Sequence, residues 1–192
     1  MTEVMTKPER VAINGVDVPT FVATLGAVDK QREIARFTFR ANGEWLSGTH
    51  SRIAFNDFYG ACCENEHNQR YTIEGDHPEV LCGTDNAPTP AELLLGALSA
   101  CLTAGIGNIA SMRQVELKSV ECQVEGDIDL TGILGIDPQS RNGFNGVRVT
   151  VKIDGDADAE TLEKIVRQSV ARSAVFDVMT NGVPVSVNAQ VA

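Results

Sequence analysis

The longest apolar stretch of the chain has the pattern of a helix that is hydrophobic on every face. Residues 89–112 have the sequence TPAELLLGALSACLTAGIGNIASM, in which no charged side chain follows Glu92. Thr89 can cap this helix, Pro90 suits its first position, and Glu92 completes a capping box. A helix with this pattern is typical of a domain interior. Its glycines and Asn108 argue against a membrane span.

Strand-like alternation of apolar and polar residues lies on both sides of this central helix. Before it, β-like runs are predicted around residues 36–40, 45–55 and 70–74. A loop rich in proline and glycine then leads into the helix. After it, alternation over residues 120–130 and 147–154 predicts two strands with one buried and one wet face.

The C-terminal part of the chain predicts one more helix and one more strand. The helix begins near Asp158, buries an apolar stripe from Leu162 to Ser173, and ends at Asn181. Alternating valines over residues 183–191 predict a final strand.

The order of predicted elements defines the fold class and the domain organisation. A short amphipathic helix follows Asp17, which gives the order α, three β, α, two β, α, β. We find no internal repeat and no linker. We therefore expect one α+β domain over residues 1–192, with residues 1–34 as an N-terminal extension and residues 35–192 as the core.

Charge and cysteine usage limit the partners and the compartment. The chain has 16 Lys and Arg against 26 Asp and Glu, a formal net charge of −10. This balance disfavours binding to nucleic acid or to an anionic membrane. Five cysteines without disulfide-framework spacing indicate a reducing compartment, and the N-terminus shows no apolar signal segment. We expect a cytoplasmic protein with no nucleic-acid or membrane partner.

Cys101 is the main candidate for chemistry, because it lies at the middle of the central helix. It is either a small core residue or a protected reactive thiol. Burial in an apolar site raises the pKa of a thiol. The N-terminus of its own helix is too distant to offset this, so a reactive thiolate would need a nearby cation.

The remaining candidate residues give weaker signals. Cys62 and Cys63 are adjacent, but neighbouring side chains of an extended chain point in opposite directions and no second ligand pair exists for zinc. Cys82 is either a partly buried loop residue or a mobile thiol that reaches a partner. No phosphate-binding glycine loop or serine-hydrolase motif occurs. We therefore expect no metal and no cofactor.

Four segments together give the chain a resemblance to the OsmC/Ohr family, the osmotically inducible and organic-hydroperoxide-resistance proteins. The likeness is closest to an OsmC-like branch that carries the EGDIDLTGILG loop. The segments are GTDNAPTPAELLLGALSACL at residues 83–102, INGVD at 13–17, VECQVEGDIDLTGILGI at 120–136 and RSAVFDVMTNGVPVSV at 172–187.

The resemblance implies a fold, an assembly and a reaction. The implied fold is an intertwined homodimer, in which antiparallel sheets wrap around two central helices. The implied reaction is oxidation of a peroxidatic cysteine by an organic hydroperoxide, followed by resolution as a disulfide with a second cysteine. Cys101 matches the peroxidatic position, and Arg70 is the arginine that would activate its thiol.

Two positions depart from the family pattern. Ser173 stands where peroxidase members carry the resolving cysteine, and Ala91 stands where they carry the glutamate that holds the arginine. Ser173 shares the buried stripe with Leu162, so we expect it to lie near Cys101.

These departures leave two hypotheses. In the first, the protein is a thiol peroxidase that uses Cys101 and Arg70, and an external thiol or Cys82 resolves the oxidised cysteine. In the second, it is a non-catalytic OsmC-like dimer that binds a small apolar molecule.

Overall fold

The computed structural model describes residues 11–191, which form an α+β fold with antiparallel strands. Two compact units are distinguished among these residues: one contains residues 11–12 and 17–94, and the other contains residues 13–16 and 95–191. Two short 3₁₀ turns, Arg32–Ala35 and Glu79–Leu81, join elements of the first unit. The elements are α1 (Val18–Lys30), β1 (Thr38–Phe39), β2 (Asn42–Ser47), β3 (His50–Gly60), β4 (Cys63–Gly75), α2 (Pro90–Met112), β5 (Leu117–Ile128), α3 (Leu130–Ile133), β6 (Phe144–Gly155), α4 (Ala159–Ala171) and α5 (Ala174–Asn181).

The first unit contains a four-stranded sheet in which β3 pairs antiparallel with β1, β2 and β4. The prediction of one continuous run over residues 45–55 is wrong, because the chain turns between β2 and β3. Gly48 adopts a positive φ of 52° at this turn, a conformation that glycine adopts without steric cost. The first half of the chain therefore has four strands rather than three.

Asp76 fixes the loop between β4 and α2. Its side chain is fully buried and accepts five hydrogen bonds. Oδ1 accepts from the Thr49 hydroxyl at 2.6 Å and from the His77 N–H at 2.8 Å. Oδ2 accepts from the Thr84 hydroxyl at 2.8 Å and from the backbone and side-chain amides of Asn86 at 3.1 and 3.0 Å. These donors, the Thr49 hydroxyl foremost, outweigh burial and hold the pKa of Asp76 well below its usual range.

The start of α2 has the predicted capping box. The Thr89 hydroxyl accepts from the Glu92 N–H at 3.1 Å, and the Glu92 carboxylate accepts from the Thr89 N–H at 2.8 Å. By length and composition alone α2 could cross a membrane, since its 18-residue window has a mean hydropathy of 1.8. Core helices of soluble proteins meet the same criterion.

The second unit is built on α2 from Leu95 onward. The strands β5 and β6 form an antiparallel ribbon, and the Ser99 hydroxyl of α2 donates to the Cys122 carbonyl of β5 at 3.2 Å. One hydrophobic cluster joins α2 to α4 and to this ribbon. Its buried members are Ile106, Ile109, Ala110, Val115, Leu162 and Ile165.

The predicted final strand over residues 183–191 is wrong for this chain taken alone. The segment has no regular secondary structure, and it pairs with no strand of the described residues. Val185 and Val187 are 81% and 87% exposed. A strand needs a partner for its backbone hydrogen bonds, and the alternation of valines cannot supply one.

Candidate functional site

A break between α4 and α5 creates the candidate site. The prediction of one continuous helix from Asp158 to Asn181 is wrong, because Ser173 adopts an extended backbone conformation with ψ of 118°. Its hydroxyl accepts a hydrogen bond from the Phe176 N–H at 3.1 Å and so caps a new helix, α5. The chain therefore presents an additional helix N-terminus at this point.

The thiol of Cys101 lies at the N-terminus of α5. The Ser173 hydroxyl donates to Sγ at 3.1 Å, which confirms the expectation that these two residues lie together. The backbone N–H groups of Ala174 and Val175, in the first turn of α5, also donate toward the sulfur. The thiol is therefore held by three donors from one segment.

These donors favour the ionised form of Cys101. Burial by itself raises the pKa of the thiol. The hydrogen bonds from the Ser173 hydroxyl and from the N–H groups of Val175 and Ala174 outweigh it, so the pKa lies below its ordinary value. A helix N-terminus also carries a partial positive charge that stabilises an anion. Low-pKa cysteines beside helix N-termini are typical nucleophiles.

The sequence pattern does not reveal this source of activation, because the apolar stripe of α4 stays in phase up to Ser173 and hides the start of α5. We expected that a thiolate at Cys101 would need a cation, since the N-terminus of its own helix is remote. The structure instead supplies the N-terminus of a different helix. The available signal was Ser173 itself, because serine is a preferred N-cap residue, together with the acidic Asp177 in the first turn that follows it.

Arg70, the other predicted site residue, lies on β4 in the first unit, whereas Cys101 lies in the second. Its side chain is exposed and forms no ion pair within residues 11–191. Ala91 lies in the first turn of α2 and has no carboxylate that could hold a guanidinium. The role of Arg70 toward Cys101 therefore stays a prediction.

The other candidate cysteines are exposed and lie in the first unit. Cys62 occupies the β3–β4 turn with a positive φ of 66°, and Cys63 begins β4. The loop that carries Cys82 is tied by backbone hydrogen bonds, among them Cys82 N–H to the Glu79 carbonyl at 3.0 Å. Within the described chain, no group of three or more His, Cys, Asp or Glu residues could hold a metal ion.

Comparison with known proteins connects this geometry to a family. The family model described as OsmC-like protein matches residues 83–188, which include α2, the β5–β6 ribbon and both C-terminal helices. A search of curated proteins found no match.

Solved structures show the same fold at low sequence identity. An OsmC-like protein from Mycoplasma pneumoniae is 12% identical with a TM-score of 0.57, over 74% of this chain and 87% of the other. An OsmC-like protein from Vibrio cholerae is 14% identical with a TM-score of 0.54, over 73% and 92%. An organic hydroperoxide resistance protein OsmC from Legionella pneumophila is 16% identical with a TM-score of 0.51, over 76% and 90%.

Proposed function

Because the chain belongs to the OsmC-like protein family, we propose that it reduces organic hydroperoxides with Cys101 as its peroxidatic thiol. The observation that carries this proposal is the position of Cys101 Sγ, which accepts from the Ser173 hydroxyl at 3.1 Å and faces the first turn of α5. One of the solved structures with this fold is an organic hydroperoxide resistance protein, which supports the substrate class.

The proposed chemistry begins with nucleophilic attack on the peroxide. The Cys101 thiolate attacks one oxygen of the O–O bond, forms an S–O bond and displaces an alkoxide, which takes a proton from water. The cysteine is oxidised to sulfenic acid and the hydroperoxide is reduced to an alcohol. The donors of Ser173, Ala174 and Val175 lower the pKa of the thiol and so favour the ionised form that this step needs.

The second half of the cycle needs a thiol from outside the chain. Ser173 occupies the position beside Cys101, and a hydroxyl cannot form a disulfide. An external thiol therefore condenses with the sulfenic acid, which releases water and leaves a mixed disulfide. A second molecule of that thiol releases Cys101. This requirement fits a cytoplasmic protein, since that compartment maintains a pool of reduced thiols.

Arg70 is proposed as the guanidinium that binds the substrate or the thiolate. The structure supports only its exposure on β4, so its function here depends on the family pattern. The hydrogen bonds at α5 lower the pKa of Cys101 without it. We therefore expect Arg70 to matter more for substrate binding than for ionisation of the thiol.

We propose that the working protein is a homodimer. Only 28% of the apolar 18-residue stretch of α2 is buried within one chain, although its mean hydropathy is 1.8. The exposed valines of residues 183–191 also have the alternation of a strand that lacks a partner. Association with a second copy would cover the exposed part of α2 and would give residues 183–191 a strand to pair with. Sedimentation at micromolar concentration would show a dimer, and a species of 20.6 kDa alone would contradict it.

A steady-state peroxidase assay tests the proposed function. Purified reduced protein is mixed with cumene hydroperoxide or hydrogen peroxide, and with dithiothreitol or a monothiol as reductant. We expect thiol-dependent turnover that is faster with cumene hydroperoxide, because Leu98 and Leu102, the buried residues of α2 on either side of Cys101, are apolar. No consumption of either peroxide, together with saturable binding of an apolar probe such as a naphthalene sulfonate, would favour the non-catalytic alternative.

A further inference from the structure

We infer that Gly105 and Ser169 are positioning residues for Cys101, because the close crossing that they permit between α2 and α4 places the thiol against the N-terminus of α5. The inference rests on the proposed function, since it concerns the same thiol. Neither residue contacts the sulfur, and both act through the packing of the helices that carry it.

The crossing leaves no room for a side chain at position 105 while the Ser169 hydroxyl keeps its position. A Cβ atom on Gly105 would lie 2.3 Å from Oγ, 3.3 Å from Cβ and 3.6 Å from Cα of Ser169. Ser169 is 2% exposed, and its hydroxyl donates to the Leu102 carbonyl of α2 at 2.8 Å. The hydroxyl therefore fills the space above Gly105 and joins α4 directly to the backbone of α2.

The crossing lies one helical turn from the thiol on α2 and four residues before Ser173 on the other segment. On α2, Cys101 precedes Gly105 by four residues. Near α4, Ser173 follows Ser169 by four residues. The two segments run in opposite directions here. Cys101, the earlier residue on α2, contacts the later residue Ser173, whereas Gly105 lies against the earlier residue Ser169. One turn of helix rises about 5.4 Å, so a displacement at the crossing is passed on to the Cys101–Ser173 contact.

The contact at the thiol is sensitive to such a displacement. The distance from the Ser173 hydroxyl to Sγ is 3.1 Å, and hydrogen bonds weaken steeply as donor and acceptor move apart or lose alignment. The N–H groups of Ala174 and Val175 move with Ser173, because they begin the same helix. Separation of α4 from α2 would therefore weaken all three donors together, while burial would continue to disfavour the thiolate.

Gly105→Ala tests the inference, with Gly107→Ala as its matched control. Both substitutions add one methyl group to α2 and raise its helix propensity by the same amount. They differ in their surroundings, because a Cβ on Gly107 would meet nothing within 4 Å. The double variant Gly105→Ala with Ser169→Ala removes the oxygen that lies 2.3 Å from the new methyl group. It leaves the contact of 3.3 Å with Cβ, which a small shift can accommodate.

The readout is the rate of alkylation of Cys101 by iodoacetamide against pH, followed by mass spectrometry of its peptide. For Gly105→Ala we expect the pKa of Cys101 to rise and the alkylation rate at pH 7 to fall about fivefold to tenfold, with wild-type behaviour in Gly107→Ala. The double variant should recover most of the wild-type pH profile. A purely structural role would lower the melting temperature without moving this profile.

The outcomes separate this inference from the proposed function. A folded Gly105→Ala protein with an unchanged pH profile would overturn the inference, whatever its peroxidase activity. A shifted profile without peroxide consumption in wild type would support the inference and contradict the proposed function. If Gly105→Ala does not fold, a folded double variant with the wild-type profile supports the inference, and a double variant that also fails to fold overturns it.

Discussion

The hydroxyl of Ser173 contacts the thiol of Cys101 and caps α5 at the same time. It donates to Sγ at 3.1 Å and accepts from the Phe176 N–H at 3.1 Å. The hydroxyl is therefore a donor and an acceptor at once, and both hydrogen bonds fix its orientation. A donor aimed at sulfur stabilises the thiolate more than the neutral thiol. The serine at this position is therefore compatible with an active cysteine, although it cannot form a disulfide.

Replacement of Ser173 by alanine should reduce the reactivity of Cys101 at neutral pH. Loss of the donor raises the pKa of the thiol, so less thiolate is present at pH 7 and the rate regains its wild-type value at higher pH. A hydrogen bond of about 1 kcal/mol corresponds to about a fivefold change in rate. Ser173→Thr, which keeps the hydroxyl, serves as the control. Equal pH–rate profiles for the alanine variant and wild type would contradict this role for Ser173.

Replacement of Ser173 by cysteine should supply a resolving thiol. One equivalent of cumene hydroperoxide oxidises Cys101 to sulfenic acid, and the introduced thiol then displaces water to form an intramolecular disulfide. The contact between the two side chains makes this geometry accessible, provided that the Cα atoms lie about 4.4–6.8 Å apart. Mass spectrometry of the non-reduced peptides would identify the bond. A sulfenic acid that persists in this variant and is trapped by dimedone, as expected for wild type, would show that the two sulfurs do not meet.

Replacement of Cys101 by serine should abolish peroxide consumption, because a hydroxyl has no thiolate to attack the O–O bond. Cys82→Ser is the control, since that exposed thiol lies on a loop held by backbone hydrogen bonds. We expect it to keep wild-type turnover with added dithiothreitol. Turnover that survives in the Cys101 variant would move the chemistry to Cys62, Cys63 or Cys82.

Replacement of Asp76 by asparagine should destabilise the first unit at neutral pH. The amide cannot accept all five hydrogen bonds, so we expect the melting temperature to fall by several degrees. The folded-state pKa of Asp76 lies below its unfolded value of about 3.9, so its stabilisation is complete above that pH and is lost as pH falls. The difference in melting temperature between wild type and variant should therefore shrink below about pH 4.

Asp85→Asn is the matched control for this prediction, because Asp85 is exposed on the same loop. Its melting temperature should stay close to that of wild type at every pH. A difference between the Asp76 variant and wild type that stays constant from pH 7 to pH 3 would show that the carboxylate contributes no charge-dependent stability.

Local sequence signals were sufficient for the elements that are specified by nearby residues. The central helix, its capping box at Thr89 and Glu92, and the β5–β6 alternation all depend on side chains within a few positions, and the structure confirms them. The expected proximity of Cys101 and Ser173 came from helical phase, and it is also confirmed.

The elements that sequence patterns did not predict depend on tertiary context. The stripe that includes Ser173 stays in phase with α4 up to the break, so periodicity alone gave no reason to begin a new helix there. Residues 183–191 alternate like a strand, but the described residues offer them no partner. The turn at Gly48, by contrast, had a local signal, because Ser47 and Gly48 interrupt the apolar residues at positions 45–46 and 53–55.

The most direct test of the central claim is a pH titration of Cys101 alkylation, with and without prior treatment with one equivalent of cumene hydroperoxide. We expect a thiol pKa below the ordinary value of about 8.5, together with loss of alkylation and formation of a dimedone adduct at Cys101 after peroxide. An ordinary or raised pKa, with no protection of Cys101 by the hydroperoxide, would contradict the account.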